Sequence, residues 1–266
     1  MERKMKHLLL VLGNSIGVVA TIIVNALAII LPLNGKTTSE LSDAIPNLFV
    51  PAGITFSIWS VIYLFLIVFM IYQILELTKK EKGDMMPIYK IGPWFMIACL
   101  ANIVWIFLWQ YEYVYFSLLA MLLLFASLLV MYLKLNIGLA SVPRKEKLVV
   151  HVTISIYLGW ITVATIANVT AVLVKVNVGG LFFSQDVWAI VAIAVAEVIT
   201  ILMVLRRKDA AYSLVIIWAL LGIIIKRQSS EPVYTNIVVA AGIGIVLILI
   251  MMLAKTVPAI YKKETN

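Results

Sequence analysis

The chain has 266 residues, of which 64% are hydrophobic and 13% are charged, and its formal net charge is +8. Soluble domains carry about 25% charged residues, so this composition excludes an ordinary soluble protein and indicates a protein embedded in the lipid bilayer. Nucleic acid is not predicted as a partner, because the basic residues flank apolar segments, where they meet anionic lipid headgroups.

Eight long apolar stretches follow one another along the chain. Each is close to the roughly 20 residues that a helix needs to cross the hydrocarbon core. Lipid offers no partners to backbone amides, so apolar runs of this length should be helical. We therefore predict an all-α, polytopic transmembrane bundle of about eight helices, with spans at residues 8–32, 53–77, 91–109, 113–135, 149–175, 187–205, 210–226 and 233–254.

The basic residues fall mainly on alternate sides of these spans. With the amino terminus on the inner side, 17 of the 21 lysine and arginine residues lie in inner segments. The outer segments hold only Lys36, Lys175, Lys226 and Arg227. Because positive charge is retained on the cytoplasmic side, we expect a multi-pass protein of the cytoplasmic membrane with both termini in the cytoplasm.

The longest outer connection runs from Leu33 to Ala52, between the first two spans. It is polar and rich in turn residues at first, and it becomes apolar just before the chain re-enters the membrane. Two interpretations fit this pattern. The loop either folds over the bundle as a lid or is an ordinary solvated loop with an interfacial end.

Polar or amphipathic side chains on four predicted helices lie at one depth. Each is about six or seven residues, or roughly 10 Å, from the outer end of its span. Such groups should face the interior of the bundle, because they are costly in contact with lipid. The four are Asn25, Trp59, Asn102 and Asn168.

On two of these spans, further side chains share a helix face with a residue of this level. Trp160, Ala164 and Asn168 share one face of the fifth span, and Trp59 and Tyr63 share one face of the second. One interpretation is a ligand pocket in the outer half of the membrane. The other is that the asparagines join helices by hydrogen bonds and that the tryptophans supply packing bulk.

Three sequence blocks then carry a resemblance to a known family. They are P-A-G-I-T-F-S-I-W-S-V-I-Y at residues 51–63, A-N-I-V-W at 101–105 and Y-L-G-W-I-T-V-A-T-I-A-N at 157–168. In order and position they resemble motifs of the second, third and fifth helices of the tryptophan-rich sensory protein family, also called the translocator protein or peripheral benzodiazepine receptor family. The resemblance covers about residues 8–177, which is the whole five-helix bundle of that family.

The resemblance implies a hydrophobic pocket in the five-helix bundle, closed by the loop between the first two helices, that binds tetrapyrroles, sterols and benzodiazepine-type ligands. The residues that match pocket-lining or supporting positions of the family are Trp59, Asn102, Trp105, Trp160, Ala164 and Asn168. The chain departs from the family pattern in three places. The loop has no tryptophan or tyrosine, Ile156 stands where proline is usual, and the steroid-recognition pattern after Asn168 lacks its tyrosine.

The remaining residues are predicted to form a separate unit. We expect a translocator-like membrane domain at residues 1–177, and three additional transmembrane helices with a cytoplasmic tail at residues 178–266. Glu197 lies near the middle of the sixth span. An intramembrane carboxyl group either carries a proton or is a neutral acid that is hydrogen-bonded to a neighbouring helix.

The sequence therefore predicts a membrane sensor or receptor with an intramembrane pocket for a porphyrin-like ligand. Trp59, Tyr63 and Trp160 would stack on this ligand, and Asn102 and Asn168 would orient its polar edge. One alternative is a small secondary transporter that uses Glu197 for proton coupling. A second alternative is a membrane scaffold without a ligand.

Motifs of enzymes and metal sites are absent from the sequence. It contains no Walker-type glycine loop, no H-E-x-x-H and no C-x-x-C, so we predict no enzymatic activity and no cofactor. His7 and His151 have no companion at metal-ligand spacing, so no metal site is predicted. Gly13 and Gly17 form a small-xxx-small pair, which suits either a close helix contact or a homodimer.

Overall fold

A computed structural model describes residues 2–79, 85–177 and 184–264 of the chain. Within these ranges the regular structure is entirely helical, which confirms the predicted all-α fold class. The helices are α1 (Glu2–Ile30), α2 (Thr38–Ala44), α3 (Ile58–Thr78), α4 (Met86–Ile91), α5 (Trp94–Gln110), α6 (Val114–Lys134), α7 (Arg144–Glu146), α8 (Val152–Lys175), α9 (Gln185–Arg207), α10 (Ala210–Gln228) and α11 (Thr235–Glu264).

Seven helices of the described ranges are long and apolar enough to cross a membrane, and they make this a multi-pass membrane protein. They are α1, α3, α6, α8, α9, α10 and α11. The predicted third span corresponds to α5, which is apolar but has only 17 residues. It begins at Trp94 and not at residue 91, because Gly92 ends α4 at a φ of +56° and Pro93 follows it.

The first helix also differs from its predicted span. It begins at Glu2, whereas the apolar stretch begins near Leu8. An apolar stretch identifies the part of a helix that contacts hydrocarbon, and the helical hydrogen bonds of α1 continue beyond that part into polar sequence.

The helices pack side by side into one bundle. α5 packs against α1 and α6, and α8 packs against α3, α6 and α10. The last helices join through α10, which contacts α8, α9 and α11. Gly159 permits the close approach of α8 to α10, because a Cβ atom there would lie 3.1 Å from the carbonyl oxygen of Tyr212.

A single cluster of buried apolar residues runs from α1 to α11. The five-helix part and the last three helices therefore share one hydrophobic core in the described residues. The division of the chain at residue 177 remains a prediction, since residues 178–183 lie outside the described ranges.

Gly13 and Gly17 serve a contact within the chain. A Cβ atom at Gly13 would overlap the sulfur of Met96, and one at Gly17 would lie 3.0 Å from the sulfur of Cys99. Both partners belong to α5. Of the two interpretations of this pair, the structure supports a close helix contact, between α1 and α5, and a homodimer remains a prediction.

A buried carboxylate that the sequence analysis did not single out ties three helices together. Asp209 caps the amino terminus of α10 by accepting a hydrogen bond of 3.1 Å from the backbone N–H of Tyr212. It also accepts hydrogen bonds from the hydroxyls of Tyr132 in α6, at 2.9 Å, and of Ser155 in α8, at 2.6 Å. Because these bonds satisfy the carboxylate, Asp209 is a structural link between the fourth, fifth and seventh predicted spans.

Candidate functional site

An apolar pocket lies between α3, α5 and α8, beneath the segment that connects α1 to α3. Its empty volume is about 500 Å³, including its open mouth. The residues that line it are Thr38, Ser42, Pro51, Phe56, Trp59, Trp105, Trp109, Trp160, Val163, Ala164, Ala167 and Asn168.

Four tryptophans from three helices form much of this wall. Trp105 and Trp109 are one turn apart on α5 and stack with ring centroids 6.0 Å apart. Trp59 of α3 meets Trp160 of α8 edge to face, with centroids 6.3 Å apart. Such aromatic pairs pack favourably and are stiff, so the pocket has broad apolar faces in fixed orientations.

Five of the seven residues that we predicted to contact a ligand line this pocket, namely Trp59, Trp105, Trp160, Ala164 and Asn168. The face of the fifth span that the spacing predicted is one of its walls. Tyr63 and Asn102 do not line it. Tyr63 stacks on Trp59 with centroids 5.6 Å apart, so it supports a lining residue from behind.

Asn102 is fully buried between helices. It accepts a hydrogen bond of 2.7 Å from the side-chain amide of Asn25 in α1, and it donates one of 3.1 Å to the hydroxyl of Tyr157 in α8. Three of the predicted spans thus meet at this amide. The prediction that several polar groups share one level holds here for Asn25 and Asn102.

Asn168 lines the pocket and also holds one of its walls. Its carbonyl oxygen accepts a hydrogen bond of 3.1 Å from the indole N–H of Trp105, and its amide donates one of 3.2 Å to Ser117 in α6. Because the Trp105 ring is tied at its nitrogen, its face is fixed relative to α8.

The sequence analysis missed seven of the lining residues, which are Thr38, Ser42, Pro51, Phe56, Trp109, Val163 and Ala167. Trp109 was detectable, since it follows Trp105 by one helical turn, and Val163 and Ala167 lie on the predicted face of α8. Pro51 and Phe56 were inside the motif of the second span. The lid interpretation placed their loop over the pocket, but it did not single out Thr38 and Ser42.

The connection from Leu33 to Ala52 covers the pocket, as the first of its two interpretations predicted. Its central part is α2, which begins with a capping box between Thr37 and Glu40. The backbone and hydroxyl hydrogen bonds of Thr37 hold the pKa of the Glu40 carboxyl below its usual value. Thr38 and Ser42 face the pocket from α2. Together with residues 51–57, α2 forms the roof of the pocket.

Gln110, at the end of α5, anchors the segment that leads into α2. Its fully buried side chain donates hydrogen bonds to the carbonyl oxygens of Lys36, at 2.8 Å, and Leu33, at 3.3 Å. It accepts one from the hydroxyl of Thr38 at 3.3 Å. Further along, the amide of Asn47 donates to the hydroxyl of Thr170 in α8 at 2.7 Å. The roof is therefore anchored on two helices of the pocket.

One polar group of the pocket wall has no partner. The indole nitrogen of Trp160 is buried and makes no hydrogen bond to any residue that the structure describes. A buried N–H without an acceptor costs free energy, so this unpaired indole nitrogen is an unfavourable feature of the pocket wall in the described structure.

Glu197 lies away from this pocket, on α9. One of its carboxyl oxygens is buried and has no hydrogen-bond partner within residues 2–79, 85–177 and 184–264. Its side chain packs directly on Gly244 of α11, where a Cβ atom would overlap the carboxyl group. One of the two interpretations of Glu197 was a neutral acid that is hydrogen-bonded to a neighbouring helix. This oxygen makes no such bond in the described structure.

The comparison with protein families identifies the relationship of this chain. A family model described as TSPO-like protein matches residues 10–254, so the chain belongs to the TSPO-like family. This confirms the resemblance found in the sequence and extends it beyond residue 177, through the last three helices. No curated protein and no solved structure matches the chain.

Proposed function

We propose that this member of the TSPO-like family binds a flat hydrophobic molecule, such as a tetrapyrrole, in the pocket between α3, α5 and α8. The observation that carries the proposal is the wall of four tryptophans, closed by a folded roof. Apolar pockets with a few placed polar groups are the usual form of small-molecule sites. The protein would act as a sensor or receptor in the cytoplasmic membrane with both termini inside, and we assign it no enzymatic reaction.

The lining residues have distinct roles in this proposal. Trp59 offers a ring face on which a planar ligand stacks, Tyr63 supports Trp59, and the ring of Trp160 is almost perpendicular to that of Trp59. The free N–H of Trp160 donates a hydrogen bond to the polar edge of the ligand. Asn168 keeps the Trp105 ring in place, while Asn102 holds α1, α5 and α8 together.

The test is a titration of protoporphyrin into detergent-purified protein, followed by the visible absorption of the porphyrin. This signal does not depend on the number of tryptophans left in a variant. We expect saturable binding to the wild type. Trp160→Phe keeps an aromatic ring but lacks the donor, so we expect affinity to fall about threefold to tenfold, which corresponds to one hydrogen bond.

Trp94→Phe is the matched control, because Trp94 begins α5 and does not line the pocket. It should bind protoporphyrin like the wild type. Absence of saturation in the wild type, or an equal loss of affinity in Trp160→Phe and Trp94→Phe, would contradict the proposal.

A second candidate function is proton-coupled transport through Glu197. The observation that favours it is the buried carboxyl oxygen without a partner, since intramembrane acids of this kind often carry protons. Solute flux driven by a pH gradient across reconstituted vesicles, and abolished by Glu197→Gln, would support transport. Binding of protoporphyrin that is indifferent to Glu197→Gln favours the sensor.

A further inference from the structure

None of the residues that line the pocket belongs to α9, α10 or α11. Nevertheless, α10 lies directly against the roof. The indole N–H of Trp218 donates a hydrogen bond of 3.0 Å to the carbonyl oxygen of Thr55, although the two residues are 163 positions apart. The backbone N–H of Ala52 donates one of 3.0 Å to the carbonyl oxygen of Gly222. Both bonds are made by residues that lie between the pocket residues Pro51 and Phe56.

The shape of α10 fits this contact. A Cβ atom at Gly222 would overlap the hydroxyl oxygen of Thr55 and would lie 3.0 Å from the Cβ of Pro51. Thr55 is almost fully buried in this contact region. Glycine at position 222 is therefore required for α10 to approach the roof so closely, whereas a Cβ atom at Gly242 of α11 would meet nothing within 4 Å.

A third contact reaches the other part of the roof. Lys226, in the last turn of α10, forms an ion pair with Asp43 of α2. Asp43 follows Ser42, which lines the pocket. Both charged groups are partly exposed, so the pair is weaker than a buried one, but it joins α10 to α2 as well as to residues 51–57.

We propose that α10 is a clamp on the roof of the pocket. Trp218, Gly222 and Lys226 are its positioning residues, and they keep α2 and residues 51–57 closed over the tryptophan wall. Release of this clamp opens the roof and sets the rate at which a ligand enters and leaves. The closing of the roof is independent of any ligand, whereas the control of ligand exchange rests on the proposed function.

The clamp itself is tested by amide hydrogen exchange, measured by mass spectrometry on the full-length protein in detergent without ligand. Trp218→Phe keeps the ring and removes the donor to Thr55. We expect exchange of amides in residues 51–57 to accelerate about threefold to tenfold, the change that loss of one hydrogen bond produces. Lys226→Gln should accelerate exchange in α2. Trp94→Phe, at the beginning of α5, should change neither segment.

A matched pair of glycine substitutions tests the close contact. Gly222→Ala should loosen residues 51–57, while Gly242→Ala should leave their exchange unchanged, because only the first substitution meets the roof. If Gly222→Ala exposes α5 and α6 as well, the whole fold is disturbed and Trp218→Phe decides the question. If the amides of residues 51–57 exchange in Trp218→Phe at the wild-type rate, the proposal that α10 is a clamp is overturned.

The second half of the proposal is tested by stopped-flow mixing with protoporphyrin. In Trp218→Phe we expect the association and dissociation rates of protoporphyrin both to rise about threefold or more. The change in Kd should be smaller, because the roof controls the entry and exit of the ligand more than its contacts with the pocket wall. A loosened roof with unchanged rates would overturn the control of exchange and leave the clamp intact. If the wild type does not bind protoporphyrin, the proposed function fails for this ligand, while hydrogen exchange still decides whether α10 is a clamp.

Discussion

Asn25 in α1 donates a hydrogen bond of 2.7 Å to Asn102 in α5. Asn102 in turn donates a hydrogen bond to the hydroxyl of Tyr157 in α8. A side chain that the sequence placed in the ligand site therefore joins the helices around that site. Its amide is already paired on both sides, so its contribution to ligand binding should be indirect.

Asn102→Leu should lower stability more than it lowers ligand affinity. The substitution removes the hydrogen bonds that Asn102 makes with Asn25 and Tyr157. Hydrogen bonds between membrane helices contribute on average about 0.6 kcal/mol and at most about 1.7 kcal/mol. We expect a loss of about 1 kcal/mol in detergent unfolding, and a smaller change in protoporphyrin affinity than Trp160→Phe causes.

A double-mutant cycle isolates this bond. Combining Asn25→Leu with Asn102→Leu should cost less than the two single losses together, because the first substitution already removes the shared hydrogen bond. Strict additivity of the two changes in unfolding free energy would show that the pair is not coupled.

Gln110→Leu should release the segment that leads into α2. The carbonyl oxygens of Leu33 and Lys36, which are only partly buried, lose their donor, and the loss of one such hydrogen bond costs about 0.5–1.5 kcal/mol. We expect the segment to swing outward to reach water, which would appear as faster proteolysis between residues 33 and 44. Gln110→Glu keeps one acceptor for Thr38 and should release the roof less, if the carboxyl group is protonated. Equal proteolysis of Gln110→Leu and the wild type would argue against this anchor.

Gly244→Ala should destabilise the contact between α9 and α11. The added methyl group overlaps the carboxyl group of Glu197, and since this flexible side chain can shift, we expect a loss at the lower end of the overpacking range, about 1 kcal/mol. The same substitution in a Glu197→Ala background should cost much less, because the obstructing side chain is gone. Thermal unfolding of the four proteins measures both effects, and an equal penalty in the two backgrounds would refute the contact.

The capping box of α2 should depend on pH. Hydrogen bonds from Thr37 lower the pKa of Glu40 in the folded protein. The stabilising contribution is therefore fully present above the ordinary value of 4.5 and is lost as the pH falls through the lower, folded value. Protease sensitivity of α2 should accordingly rise below about pH 4 in the wild type. Glu40→Gln, which cannot ionise, should remove this dependence, and an unchanged pH profile in that variant would count against it.

The tertiary structure alone decided which polar groups form hydrogen bonds and which residues of the loop between α1 and α3 line the pocket. Thr38 and Ser42 are ordinary loop residues in the sequence, and they line the pocket because Gln110 and Asn47 draw their segment over the bundle. No local pattern distinguishes Gly222 from the other glycines, since its importance arises from contact with Thr55, far away in the chain. Such pairings depend on the relative placement of whole helices, which side-chain periodicity does not encode.

The sequence by itself determined the helical class, most span positions and the lining face of α8. The reason is that the length of an apolar stretch and the spacing of side chains along a helix are local properties, fixed by the thickness of the membrane and by the helical repeat. The faces of Trp59 and Trp160 could be assigned in this way. Two other features required the packing of the complete bundle: the meeting of these tryptophans with α5 and the contact of α10 with the roof. Each of those contacts joins residues distant in sequence.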